Sequence, residues 1–232
     1  APYEPWQEVL KETQTGRTKT FNFFCDDTWR FDRFSSKVCH YFNACSTPEP
    51  AYLKKYKELG YSNIILGTWH ANSEFYKRKK FEQKNIDLSF IGNITPSRKA
   101  FFEHITTPIE NIFGVSNEEL FDAHTRSKIG INLSTNDNDP QRKTQMKQRM
   151  FEIPAGAGLL LTEYHEDIQR FFEIDKEIIT FKTIDEFKKK CEFLLNNPKL
   201  VKKIADNGYK RFIRDHDSKI RLQEIIKEIE KC

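Results

Sequence analysis

Two short stretches concentrate side chains that could hold a small anion. In "KQRMFEIPAGAGLLLTEY", residues 147–164, Lys147 and Arg149 carry donors able to reach phosphate oxygens. Glu152, an acceptor-only carboxylate, suits two vicinal ribose hydroxyls and is expected to be exposed, contributing little to folding. In "FIGNITPSR", residues 90–98, an apolar strand runs into Gly92, where backbone can approach a ligand closely, and a helix expected from Pro96 places Arg98 in its first turn. A cation at a helix start is unfavourable for the helix alone, so an anion between the two would explain it. Each feature also has a plainer reading. Arg98 can be a solvent-facing cation after an ordinary turn, and the trio, standing alone, reads as a solvated helix face.

Other candidates carry less. Asp26 and Asp27 are adjacent, whereas the DxD metal motif spaces its acids by one residue. At the end of a strand facing a cleft Asp27 fits a general base, and a capping or turn role fits both acids better. "TNDNDP", residues 135–140, lacks the Gly and closing Glu of a calcium loop. His70 reads as a hinge residue before a substrate contact. Cysteines at 25, 39, 45, 191 and 232 show neither CxxC pairs nor zinc spacing, which fits reduced structural thiols.

The elements that must position these residues alternate between strand-like and helix-like, the pattern of an α/β protein with parallel strands. "TFNFFCDD" and "SNIILGTW" are strands flanking a helix in "PEPAYLKKYKELG" that puts Tyr52, Leu53, Tyr56 and Leu59 on one face and stops at Gly60. The charged stretch at 72–85 lacks a period and reads as a linker. Beyond it "IDLSFIGN", "KIGINLS", "GLLLT" and "KEIITF" are strands. Helices are expected from Thr95, with Pro96 in first position, from a capping box of Ser116 and Glu119, and from a second box of Thr183 and Glu186. The helix at 147–155 should bury Met146, Met150 and Ile153 and end tightly at "AGAG". Two further helices close the chain. In open parallel sheets ligands lie beyond the carboxyl ends of strands, which is where both anion-type stretches fall.

The 232 residues suffice for one large domain or two small ones. No run approaches a membrane span. Thirty-eight basic residues against 34 acidic ones are scattered rather than striped, which favours a small anionic ligand over a nucleic acid. The chain starts at Ala1 without Met and without a signal layout, so either a processed start or a fragment is expected.

From residue 147 the order K-x-R-x-F-E-I, small-residue turn, "LLTE", a "KEI" strand, a helix, "IADNGY" and a final "H…R" resembles the C-terminal signature of GT-B glycosyltransferases, specifically the group related to spore maturation proteins. The resemblance covers roughly 86–222, includes "FIGN….R" as a phosphate loop, and extends to "FCDDTWRFDRFS", similar to the end of that family's N-terminal domain. It implies two Rossmann-like domains. Their boundaries would be a partial acceptor-side domain at 1–75, a linker at 76–85, a donor domain at 86–216, and a C-terminal helix at 217–232 returning to the N-terminal part. It further implies Gly92, Asn93 and Arg98 at a diphosphate, Lys147 and Arg149 at phosphate or sugar, Glu152 at the ribose, and Asp27 as the candidate base. Two positions depart from the pattern. Thr144 stands where retaining relatives carry a Glu, and "AGAG" replaces a turn with a cysteine and two glycines.

The function expected is metal-independent transfer of a hexose-like sugar from a UDP- or GDP-sugar to a glycan, lipid or protein acceptor, without nucleic acid, in the cytoplasm or at the membrane periphery. The rival is a non-catalytic nucleotide-sugar-binding or assembly module. A dinucleotide enzyme is disfavoured, since no GxGxxG follows the first strand.

Overall fold

The computed structural model describes residues 8–12, 16–135, 137–139, 141 and 144–231, so Cys232 and part of the 135–140 loop lie outside the described residues. Contacts divide the chain into two units. One takes the chain to Thr68, the described part of 138–143 and the tail from Arg221; the other takes Trp69–Asp137 and Thr144–Ile220.

The first unit carries a three-stranded parallel sheet of β1 (Phe21–Phe23), β2 (Ala44–Thr47) and β3 (Ile64–Leu66), in the order β1-β2-β3. Helix α1 (Pro50–Glu58) buries Tyr52 and Tyr56 in a core with Phe24, Phe31, Cys39, Cys45, Tyr61 and Ile64. It closes in a Schellman motif: Gly60 takes φ +80, its N–H donates to Lys57 O, and the Tyr61 N–H donates to Tyr56 O. Leu59, expected in the core, is exposed because the helix has ended and the residue turns out at the cap. Between β1 and β2 lies an irregular helical stretch, Asp27–Tyr41, with a π-helical turn at Phe31–Ser35.

The second unit is built on a five-stranded, wholly parallel sheet of β4 (Ile86–Ile91), β5 (Glu110–Ile112), β6 (Ser127–Asn132), β7 (Leu159–Glu163) and β8 (Ile179–Phe181). Helices α2 (Pro96–Phe102), α3 (Asn117–Arg126), α4 (Arg149–Ala155), α5 (Ile184–Leu195) and α6 (Pro198–Asp215) connect or follow the strands, and α7 (Ser218–Ile229) ends the described chain. The central strands β4, β6 and β7 are buried along nearly their whole length, as strands covered on both faces are. Leu88, Phe90, Ile129, Ile131, Leu159 and Leu161 form a core with Phe187, Cys191 and Leu194 of α5 and Val201 and Ile204 of α6. The Ser116–Glu119 capping box is complete, whereas Thr183 accepts from Glu186 N while Glu186 turns to Lys182 N. Thr95 sits at the N-cap position of α2 without a side-chain cap bond.

The sheet order is β5-β4-β6-β7-β8. The chain steps from β4 outward to β5, crosses back to β6 on the other side of β4, and continues outward to β8. The direction of winding therefore reverses between β4 and β6, and an open α/β sheet leaves a crevice at the carboxyl ends of two such strands. The 76–85 stretch, expected as a linker, belongs to the second unit; it buries Tyr76 and Lys84 and contains a 3-10 turn at Phe81–Gln83.

Candidate functional site

The crevice between β4 and β6 collects most of the residues singled out above. β4 ends at Ile91, and Gly92 follows with φ +152, in the range that disfavours side chains. A Cβ at Gly92 would run into the guanidinium of Arg149, so the glycine makes room for that cation. Arg149 opens α4 and reaches across the crevice: its Nε donates to Ile91 O at 2.5 Å and its Nη1 to Asn132 Oδ1 at 3.4 Å, with the guanidinium 4.6 Å from the centre of the Phe90 ring. Arg98, in the first turn of α2 as expected, donates from Nη1 to Asn93 O at 2.8 Å, and its guanidinium lies 5.4 Å from the centre of the same Phe90 ring. Its Nε is buried without a partner.

Both guanidiniums are thus fixed at the end of β4, and neither forms an ion pair with a carboxylate among the described residues. Burial, followed by the like charge of Arg98, pushes Arg149 down to about 10, and burial lowers Arg98 against the opposing influence of Asp137 and Glu163. Such strain on buried cations is what a bound anion relieves. The start of α2 is not bare, however. The Ser97 N–H donates to Asp137 Oδ2 at 3.3 Å, so the protein's own carboxylate takes the position expected for a ligand.

Glu152 lies one turn along α4 from Arg149 and departs from the expectation of an exposed carboxylate. Its side chain is only 15% exposed. The Tyr76 hydroxyl donates to Oε1 at 3.3 Å, and Nε2 of buried His124 stands 3.7 Å from Oε2. Burial raises the Glu152 pKa, with Arg149 and then Tyr76 opposing. Burial also drives His124 down to about 3, which leaves the ring neutral and makes the contact polar rather than ionic. Lys147 is half-buried just ahead of α4, its carbonyl accepting from Met150 N. Met146, Met150 and Ile153 are buried as the periodicity requires.

The polar floor of the crevice escaped sequence reasoning. Asn132 Nδ2 donates to Ser134 Oγ at 3.1 Å and to Thr162 Oγ1 at 3.0 Å. Glu163, at the carboxyl end of β7, accepts from Ser134 N at 2.7 Å, from Thr135 N at 2.9 Å and from Thr135 Oγ1 at 2.9 Å, which fixes the loop leaving β6. The "LLTE" run contained the signal, with two polar residues at the end of an apolar strand.

Asp27 belongs to the first unit. Rather than ending a strand that faces a cleft, it begins a helical turn, 0% exposed, with the Tyr56 hydroxyl donating to Oδ2 at 2.9 Å. Burial raises its pKa. A carboxylate enclosed in this way gives no atom to a substrate, which is the physical reason to drop it as a base. His70 holds the start of the second unit to the start of α7 through Nδ1 and Ser218 Oγ, 2.8 Å apart. No helix among the described residues is long and apolar enough to cross a membrane.

The crystal structure of Anabaena HepE in complex with UDP and glucose matches with a TM-score of 0.70 at 9% identity, over 97% of this chain and 76% of that one. An alpha-glucosyltransferase in complex with UDP-glucose and DNA containing an abasic site gives 0.66 at 10% identity, over 97% and 75%. The glycosyltransferase from Rickettsia africae ESF-5 gives 0.64 at 10% identity, over 98% and 74%. At such identities the likeness establishes the fold, a Rossmann-like α/β architecture shared with GT-B glycosyltransferases. No curated protein matches the chain in sequence. A family model described as glycosyl transferase-like matches residues 74–227, which takes in both anion-type stretches and the whole β4–β8 sheet, and the chain belongs to that family of glycosyltransferases.

Proposed function

We propose that the β4–β6 crevice is the donor site of a glycosyltransferase that takes a nucleoside-diphosphate sugar, a UDP- or GDP-sugar, and that the chain falls in the spore-maturation-like group. The observation that carries this reading is the pair of guanidiniums, Arg98 and Arg149, held at the reversal point of the sheet without a carboxylate partner among the described residues. Gly92 and Asn93 bring backbone to the diphosphate, Lys147 adds a third cation, and Glu152 accepts from the ribose hydroxyls. The cations stabilise the negative charge that grows on the leaving diphosphate as the glycosidic bond breaks, the task a divalent metal performs elsewhere. Transfer is therefore metal-independent in this reading, to a glycan, lipid or protein acceptor. The complexes of HepE and of the alpha-glucosyltransferase with UDP or UDP-glucose support the choice of donor class.

Calorimetric titration of UDP-, GDP-, CDP- and dTDP-sugars tests it, in chelator and with magnesium. One family of nucleotides binds in chelator, and Arg98→Met weakens that binding at least tenfold, since a charge-assisted bond is worth about 1.5–3 kcal/mol and tenfold is about 1.4. Binding that depends on magnesium, or that Arg98→Met leaves unchanged, overturns the assignment. Sugar transfer to an acceptor separates the enzyme from a binding-only module.

A further inference from the structure

The amino-end side of the same sheet carries a second concentration of cations. Residues 78–84 lead into β4 and the turn at Ala157 leads into β7, and with α6 they enclose a cleft of about 460 Å³ lined by Arg78, Lys79, Lys80, Lys84, Lys202 and Asp206. Its two lining carboxylates, Glu82 and Asp206, do not balance its five cations. Asp206 is shared by Arg78, at 2.5 Å, and Lys202, at 3.1 Å, while Lys79 pairs with Asp122 at 2.6 Å. Lys84 is only 3% exposed. Its Nζ donates to Thr125 O at 2.6 Å and to Gly156 O at 2.8 Å. An ammonium has three donors, so one N–H remains, and no carboxylate pairs with Lys84 among the described residues.

The two carbonyls close α3 and α4, and a cation at helix C-termini is a sound structural device. That device needs one lysine, and it accounts neither for Lys80 and Lys202 nor for the accumulation of like charge around Lys84. Burial first, then Arg78 and Lys79, push Lys84 down to about 7, with Asp206 opposing. The cleft holds more positive charge than its own residues can neutralise.

We propose that this cleft binds a phosphate-class oxyanion, either free phosphate or a lipid headgroup phosphate, through Lys80, Lys84 and Lys202. It lies at the opposite end of β4 from the β4–β6 crevice, about 20 Å away by the length of a six-residue strand. The inference does not depend on the donor reading.

Sulfate is the first probe, because it stays a dianion near neutral pH and any proton taken up on binding goes to the protein. Calorimetry of the full chain at pH 8, in two buffers of different ionisation enthalpy, should show a saturable event with net proton uptake, beside any sulfate binding at the donor crevice, as the anion draws Lys84 to its ammonium form. Phosphate should compete. The event should persist in Arg98→Met, which keeps it distinct from the donor crevice, and should weaken at least tenfold when Lys80→Gln is combined with Lys202→Gln. Lys84→Met should abolish the uptake; if that variant does not fold, the double variant and the proton count still decide. Absence of saturable binding, binding without proton uptake, or binding indifferent to the double variant overturns the proposal. Sedimentation with phosphatidylcholine vesicles, with and without phosphatidylglycerol, separates the two sources. Co-sedimentation with the anionic vesicles that phosphate competes away assigns the headgroup, and phosphate binding without it assigns the free anion.

Discussion

Glu152 shows how far residue types and spacing carry, and where they stop. The K-x-R-x-F-E-I spacing points to cations and a carboxylate on neighbouring turns, and α4 does place Arg149 and Glu152 there. Nothing local to that run announces that Tyr76, from a charged stretch lacking a period, and His124, from α3, enclose the carboxylate. The enclosure changes what a substitution should do. The folded carboxyl holds its proton more tightly than the ordinary value of 4.5, so its favourable contribution is full below that value and is lost as pH rises through the raised folded value. Above the ordinary value the carboxyl is a net cost to folding. Glu152→Gln should therefore melt at or above the parent temperature between pH 7 and 8, with the advantage fading toward pH 4. The same change should weaken a nucleoside diphosphate about tenfold or more, since charge-assisted bonds of about 1.5–3 kcal/mol each are lost. In the parent, donor affinity should rise with pH as the carboxyl ionises. The 2′-deoxy nucleotide is the control, and equal binding of ribo and 2′-deoxy forms by the parent would remove Glu152 from the ribose.

At the scale of elements, segments with a period, a cap or an apolar run were legible whatever their length, and segments without one were not. α3, α5 and the apolar runs of β4, β6 and β7 declare themselves through period, caps and composition. β2 and β5 do not, because "ACST" and "ENI" hold no apolar run or alternation, whereas the equally short β1, β3 and β8 lie in stretches rich in Phe and Ile. The "AGAG" turn is an intermediate case: its small residues mark the end of α4, while their separate roles emerge only from packing. Gly156 caps the helix with its Cα against α3, so that an added Cβ would lie 2.6 Å from His124 O. Ala157, not a glycine, takes the left-handed conformation at φ 54. Gly156→Ala should accordingly cost about 1–3 kcal/mol through overpacking. Ala157→Gly should be neutral or stabilising by up to about 1 kcal/mol, because relief of the left-handed strain offsets the added freedom of the unfolded chain. Urea unfolding of the two variants measures both, and a larger loss for Ala157→Gly than for Gly156→Ala would reverse the assignment of roles at this turn.

At the scale of the whole molecule, two sheets with separate apolar cores make two candidate units of unfolding. The buried thiols report on each. Cys39 and Cys45 lie in the core of the first unit, where burial pushes them up to about 11 and about 12; Cys191 lies in the core of the second, pushed up to about 11. An alkylating agent attacks the thiolate, which at pH 8 is scarce in all three but plentiful in an unfolded chain, where the pKa is about 8.5. Among the described cysteines Cys25 is half-exposed and should react first, even though burial and Asp26 raise it as well. Iodoacetamide labelling with peptide mapping along a urea series then follows each core by its own cysteine. The first unit closes its core on a three-stranded sheet and the second on a five-stranded one with a larger apolar cluster, so Cys39 and Cys45 should become reactive together and at lower urea than Cys191. If all three thiols open at one urea concentration, the two cores unfold as a single cooperative body and their separation in contact does not extend to energy.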